Sequence, residues 1–509
     1  MRWLAAVGFV GVLVTTPAHA GNLDSINHFV VLVEENNSFD KLYGGWEGVD
    51  GLPAEATQTD QYGRALDCLP QTMTTLLAPP LSVTCAGTDA GGKTFSSHFG
   101  PGTFSLNGYN LGSAEIRHGF YQERYQINGG RMDRFVVGND ASEGLAMGVW
   151  DTKSLPLYQY LHSPGAPRYV ISDRFFHSAY GGSFLNHQWL IAGRTPTWPN
   201  PPASVRSVVD AAGMPGTYPG YLMYKSPSTK TLRDGQVSAA CDGAPVPCGD
   251  YAVNTTQPQF QPYAPGVTTR LPALKGATIG SRLSQAGVSW AWYSQGWSNA
   301  AGLKGKPGWT NGKRQCTDPH TRPGSKFPYC PNDEFQFHHQ GFNYFKAFSP
   351  KTAAGRANRS KHLKDYAAFT KTVRSSRCTL PGVSFVKFMN SDNEHPGAGG
   401  PVRGSQATVR LLQSVTGSAC GKDTMVIVIY DENGGAWDHV APPLGDQWGP
   451  GTRTPALVVA PGLPNAFAVD HAVHDTTSVI ATLQQRFGLK ALPVRPYASL
   501  ESVFAATAP

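Results

Sequence analysis

The chain has 509 residues, of which 40% are hydrophobic and 15% charged, with 57 glycines and 40 prolines. That balance supports a large folded core with many loops and excludes a disordered or fibrous chain. The formal charge of +7 comes without a Lys/Arg cluster, which argues against a nucleic-acid footprint and suits anionic substrates.

The first twenty residues read as a secretory signal. Arg2 gives a short positive start, Trp3 to Val14 is apolar, and Ala18-His19-Ala20 is a small-x-small cleavage site. The mature chain is expected to begin near Gly21, in the periplasm or outside the cell. No later stretch has the ~18 consecutive apolar residues a membrane helix needs, so membrane contact is expected to be peripheral at most.

A buried strand follows at Phe29–Val33, and it runs straight into Glu34, Glu35, Asn36, Asn37 and Ser38. Patterned blocks then recur at Gly119–Asn139, Leu155–Gly193, Ala277–Gly296, Phe335–Val373, Val383–Met389, Gln406–Tyr430 and Thr454–Phe487. Val383–Phe388, Val426–Tyr430 and Ala456–Ala460 read as strands buried on both faces, and Thr476–Phe487 as a helix. Strand and helix alternating in this way predict an α/β fold with a mostly parallel sheet covered on both sides. One domain over 21–509 is expected, with loop insertions near 47–117, 194–275 and 295–334.

Eight cysteines, all downstream of the signal, suggest disulfides in an exported chain. Their closeness in sequence predicts the pairs Cys68–Cys85, Cys241–Cys248, Cys316–Cys330 and Cys378–Cys420.

Ligands of α/β sheets bind at the carboxyl ends of the strands. Glu34, Glu35 and Asn36 stand at one such end. The strand Thr424–Tyr430 discharges into Asp431, Glu432 and Asn433, with Asp438 and His439 beyond. Two strands delivering carboxylates and amides to one rim suit a hard divalent cation such as Mg²⁺, Mn²⁺, Ca²⁺ or Zn²⁺. Turn residues at strand ends are the plainer reading of each stretch taken singly.

In Phe175–Gly193, Gly181-Gly182 permits a tight turn and Ser183 opens a helical pattern. Ser183, Asn186 and His187 share one helix face, at an end that favours anions. Ser183 is a candidate nucleophile, with Asn186 and His187 as substrate-binding candidates. An ordinary N-cap serine is the rival reading. No G-x-S-x-G elbow occurs. His118, His338, His339 and His395 complete a set suited to an oxygen-rich anion and to protonating a leaving group.

The blocks VEENNSFDKLYGG, RHGFYQERYQINGGRMDRFV, FFHSAYGGSFLNHQWLIA, FQFHHQGFNYF, SDNEHPG and YDENGGAWDHVAPP resemble, in order, those of the bacterial and fungal phosphoesterase family. That family holds secreted acid phosphatases and phosphatidylcholine-specific phospholipases C. The resemblance runs from Ile26 to about Leu489 and is strongest toward the acid phosphatases. The chain departs from the commoner family form at Asn37, where arginine is usual, and at Gly341, where proline is usual.

The resemblance implies an alkaline-phosphatase-like three-layer α/β/α sandwich. It implies one divalent metal held by Glu35, Asn36, Asp431, Glu432 and Ser183, with Ser183 attacking phosphorus. His118, His338, His339 and His395 would bind the phosphoryl oxygens, and one of the His338-His339 pair would protonate the leaving group. The expected partner is a phosphate ester, with phosphatidylcholine-like lipids as the alternative. A lipid substrate would call for an apolar, aromatic rim, for which Trp46, Trp198, Trp297 and Trp309 are the candidates.

Overall fold

The computed structural model describes residues 23–509, apart from loop positions 61, 70–76, 79–84, 89–93, 98, 108–109, 112–115, 140–142, 203–205, 208–235, 239–249 and 304–313. The signal segment, the Cys241–Cys248 pair and Trp309 lie outside the described residues.

Eight strands form the central sheet: β1 (His28–Glu34), β2 (Tyr169–Ser172), β3 (Trp290–Ser294), β4 (Leu363–Asp365), β5 (Val383–Lys387), β6 (Thr424–Tyr430), β7 (Ala456–Val459) and β8 (Phe467–Asp470). Their order is β4-β3-β5-β1-β6-β7-β2-β8. β1 pairs in parallel with both β5 and β6. β7 alone runs the other way, antiparallel to β6 and β2. It therefore brings the residues before Ala456 to the rim where the parallel strands end.

Successive side chains of a strand point to opposite faces, and each face of this sheet is buried. One face carries Phe29, Val31, Val33, Phe385, Ile427 and Ile429 in one apolar cluster. The other carries Val30, Leu32, Val386, Val426 and Val428 in a second. The helices around the sheet include α1 (Phe120–Ile127), α2 (Pro156–Leu161), α3 (Ser183–Ala192), α4 (Ile279–Gln285), α5 (Tyr366–Val373), α6 (Gly400–Thr416) and α7 (Thr476–Phe487). α3, α4 and α7 pack Leu185, Leu283 and Ile480 on the first face. α2, α5 and α6 pack Leu161, Phe369 and Leu411 on the second. The expected three-layer α/β/α sandwich is thus present.

α7 occupies the span its sequence pattern marked. Asp475 and Ser178 hydroxyl and carboxylate groups meet its first turn, and Gly488 in the left-handed region ends it. Three of the expected disulfides are formed, Cys68–Cys85, Cys316–Cys330 and Cys378–Cys420. No helix among the described residues is long and apolar enough to cross a membrane. Trp46, Trp198 and Trp297 are buried, so these three form no exposed aromatic rim.

Candidate active site

Strand alternation decides which of the two glutamates after β1 faces the site. Glu34 follows Val30 and Leu32 toward the α2/α5/α6 layer, where its Oε1 accepts a 2.6 Å hydrogen bond from Thr408. Burial pushes its carboxyl up to about 8. Glu35 follows Phe29, Val31 and Val33 to the opposite face, toward α3. Lys387 ends β5 opposite Val33, and Asp431 follows Ile429. The same period therefore brings Glu35, Lys387 and Asp431 to one place.

Ser183 is the first residue of α3. Gly182 takes the cap position, with no side-chain cap hydrogen bond. The N-cap reading of Ser183 is therefore corrected, and the hydroxyl is available for other work. Its Oγ donates to Glu35 Oε2 at 3.1 Å. His339 Nε2 stands 3.3 Å from the same oxygen. Lys387 Nζ contacts Glu35 Oε1 and donates to Val33 O at 2.8 Å. His187 Nδ1 hydrogen-bonds Ser183 O at 2.7 Å, which turns Nε2 toward Glu35 Oε1, 4.0 Å away.

The loops after β1 and β6 close on each other. Asn36 adopts φ 56°, a left-handed conformation that asparagine tolerates. Its backbone N–H donates to Asp431 Oδ1 at 3.3 Å. A Cβ on Gly434 would stand 2.3 Å from Asn36 O, and one on Gly435 2.4 Å from Arg117 O. The Gly-Gly pair thus lets the segment bearing His118 approach. His118 Nδ1 hydrogen-bonds Ile116 O at 2.6 Å, and its Nε2 lies 3.5 Å from Glu432 Oε1 and 3.5 Å from Asn36 Nδ2. Asn37 spends its amide on Glu35 O and Glu394 O, so it ties the loop.

The electrostatics are those of crowded, buried acids and imidazoles. Burial, then the charge of Asp431, pushes the Glu35 carboxyl well above its usual range. Burial also raises Asp431, but Lys387, His187 and Ser183 outweigh it and hold that group low. Burial, with Lys387 next, pushes His187 down to about 3, leaving a neutral imidazole. Asn36 Oδ1, His187 Nε2 and Asp431 Oδ2 are buried with no hydrogen-bond partner in the protein. Ligand atoms of Glu35, His187 and His339 lie within 4.8 Å of one another. Oxygen donors with imidazole nitrogens fit a hard or borderline divalent ion.

The structure assembles Glu35, Asn36, Ser183, Asp431, Glu432, His118 and His339 at one rim. His338 stands beside His339, ring centroids 4.3 Å apart. His395 Nδ1 hydrogen-bonds Pro396 O at 2.7 Å. Two expected roles shift. Asn186 spends its amide on the backbone of Ala179, Gly181 and Gly182, so it holds the turn and is not open to substrate. His187 is fully buried, with Nε2 4.0 Å from Glu35 Oε1 and Nδ1 3.8 Å from Asp431 Oδ2, and faces these carboxylates instead of open space. Asp438 and His439, read as part of the same rim group, belong to a separate buried network around Arg453.

Sequence reasoning missed Lys387. Its signal was a lysine closing the apolar strand VSFVK beside two acid-ended strands.

Fold and site together define a class: an α/β protein with a serine hydroxyl set among carboxylates and imidazoles at the carboxyl edge of its sheet. The chain belongs to the phosphoesterase family, whose model matches residues 26–490. It is 23% identical over 523 residues to the non-hemolytic phospholipase C of Pseudomonas aeruginosa, a match covering 94% of this chain and 57% of that protein. It is 24% identical over 515 residues to phospholipase C B of Mycobacterium tuberculosis, covering 92% of this chain and 74% of that protein. A solved alkaline phosphatase superfamily protein from Vibrio parahaemolyticus is 12% identical with a TM-score of 0.28, covering 71% of this chain and 64% of that one.

Proposed function

We propose that this chain is an exported, metal-dependent acid phosphatase that hydrolyses phosphomonoesters through a phosphoserine at Ser183. The observation that carries the reading is the Ser183 hydroxyl at the head of α3, hydrogen-bonded to Glu35 within the ring of Asp431, His187 and His339. A divalent ion held by Glu35, Asn36, Asp431 and Glu432 would lower the hydroxyl's pKa and screen the phosphate charge.

The rest falls to the chain. Glu35 Oε2 accepts the Ser183 hydrogen bond and is placed to take the proton. Ser183 Oγ bonds to phosphorus as the P–O bond to the leaving group breaks. The first backbone N–H groups of α3 face the phosphoryl anion. His339 is buried with Nε2 turned to Glu35, so the half-buried His338 protonates the leaving oxygen. Water then attacks phosphorus, Ser183 leaves with its proton restored, and phosphate departs.

A phospholipase C acting on phosphatidylcholine-like lipids is the second reading. The names of the two relatives favour it. The burial of Trp46, Trp198 and Trp297 favours the monoesterase, because lipid docking calls for exposed apolar groups. Assaying p-nitrophenyl phosphate, p-nitrophenylphosphorylcholine and phosphatidylcholine side by side tests the two. Turnover confined to the monoester is expected. Faster cleavage of either choline diester would replace the first reading with the second.

A further inference from the structure

Just before Ser183 the chain makes a turn that side chains hold. Asn186 bonds it from within α3, and a buried carboxylate on α1 reaches across to it from the other side. Glu123 Oε2 accepts the Gly181 N–H at 2.5 Å. Its Oε1 accepts three donors: His177 Nε2 at 2.7 Å, Thr452 N at 2.7 Å and Thr452 Oγ1 at 2.8 Å. His177 Nδ1 lies 2.8 Å from Ala179 O. Both side chains are wholly buried. With the Glu123 carboxylate at one ring nitrogen and the Ala179 carbonyl oxygen at the other, His177 bridges Glu123 to the turn. Gly181 sits at φ 86°, where a Cβ would lie 2.5 Å from Phe120 N at the head of α1. The turn is therefore pressed against the helix that bears Glu123.

We propose that Glu123 and His177 are positioning residues for Ser183: their buried pair fixes the Gly181-Gly182 turn and so sets the hydroxyl against the reacting phosphorus. This rests on the reading of Ser183 as nucleophile. Glutamate is required because an ionised carboxylate accepts at both oxygens. A glutamine amide, whichever way it turns, points its NH₂ at Gly181 N–H or at the Thr452 and His177 donors. Burial alone would raise the Glu123 carboxyl, yet His177, Thr452 and Gly181 together hold it below its ordinary range. A shift of the nucleophile by even ~1 Å costs on the order of 10²-fold in rate.

The test compares wild type, Glu123→Gln, Glu123→Asp and Ser183→Ala with p-nitrophenyl phosphate and added Mn²⁺. It measures kcat, KM, thermal midpoint and the rapid-quench rate of phosphoserine formation. Glu123→Gln is expected to lower kcat and the phosphorylation rate by ~10²-fold in folded protein, with KM within threefold of wild type. Glu123→Asp keeps the charge but shortens the reach; it should lie between the two, and it decides the matter if Glu123→Gln does not fold. Wild-type kcat in either folded Glu123 variant, or a loss carried by KM alone, would overturn the inference. An active Ser183→Ala would instead remove the nucleophile reading, which an inactive Ser183→Ala beside an unimpaired Glu123→Gln would leave standing.

Discussion

Ser183 Oγ donates a 3.1 Å hydrogen bond to Glu35 Oε2, joining residues 148 positions apart in the chain. One lies at the head of α3 and the other just past the end of β1, and neither has a covalent reason to be near the other. The contact makes Ser183 more than a helix opener. Ser183→Ala should keep the fold and lower kcat by ~10³-fold or more, since only positioning and binding remain. Circular dichroism and steady-state assay on one preparation check it. Retained turnover in the alanine variant would return Ser183 to a structural role.

The carboxylates at the rim predict dependence on a divalent ion. Chelator-treated protein should lose activity and show a lower melting temperature, because an ion that binds only the folded state stabilises it by mass action. Mn²⁺, Mg²⁺, Ca²⁺ and Zn²⁺ added singly should restore both to different extents. Full activity with no metal by elemental analysis would contradict the prediction.

Lys387 and Glu35 form a buried ion pair with both side chains at 0% exposure. Removing one member of such a pair strands the other. Lys387→Met should cost ~3–5 kcal/mol in metal-free protein. The deficit should shrink when a divalent ion is supplied, since that ion then balances Glu35. Urea unfolding with and without metal reads both numbers.

Arg453 presents a guanidinium to two carboxylates, Asp40 at 2.9 Å and Asp438 at 3.0 Å, and donates to the carbonyls of Asp50 and Asp173. Asp40, Asp438 and His439 also lie close enough to hold an ion, but Arg453 already fills that place. Arg453→Met should destabilise the protein by ~3–5 kcal/mol without changing the number of metal ions bound. A lost equivalent of metal would identify the cluster as a second ion site.

The same network predicts a pH dependence. Burial lowers the His439 imidazole, but the hydrogen bond and charge of Asp40 outweigh it and raise the group. Burial pushes the Asp438 carboxyl up to about 6 against the pull of Arg453. With both raised, the folded chain binds more protons than the unfolded one, so stability falls as pH rises through the folded values. His439's share is complete below its ordinary value and lost above its raised one. His439→Asn should therefore cost more stability at pH 5.5 than at pH 8.5, as read by thermal melts. An equal cost at both would mean the histidine is held by packing alone.

The sequence by itself determined what depends on short-range period and chain stiffness. Apolar runs marked β1, β5, β6 and β7. A helical pattern marked α7, and the Gly-Gly pair marked the turn before Ser183. Acid groups at strand ends marked the rim, because a parallel strand can place its ligands only where it stops. Tertiary structure alone decided which of these groups meet. The pairing of Lys387 with Glu35 follows from β5 lying beside β1, an adjacency 352 residues apart that no local pattern encodes. That Glu35 and not Glu34 faces Ser183 follows from which helices cover which face. Asn186, His187 and Glu123 look locally like polar helix residues. Only the packing of α1 and α3 against the sheet turns the first and third onto one turn and the second onto a carboxylate. Burial of Trp46, Trp198 and Trp297 was undetermined for the same reason: an aromatic in a loop is exposed or buried according to what folds over it.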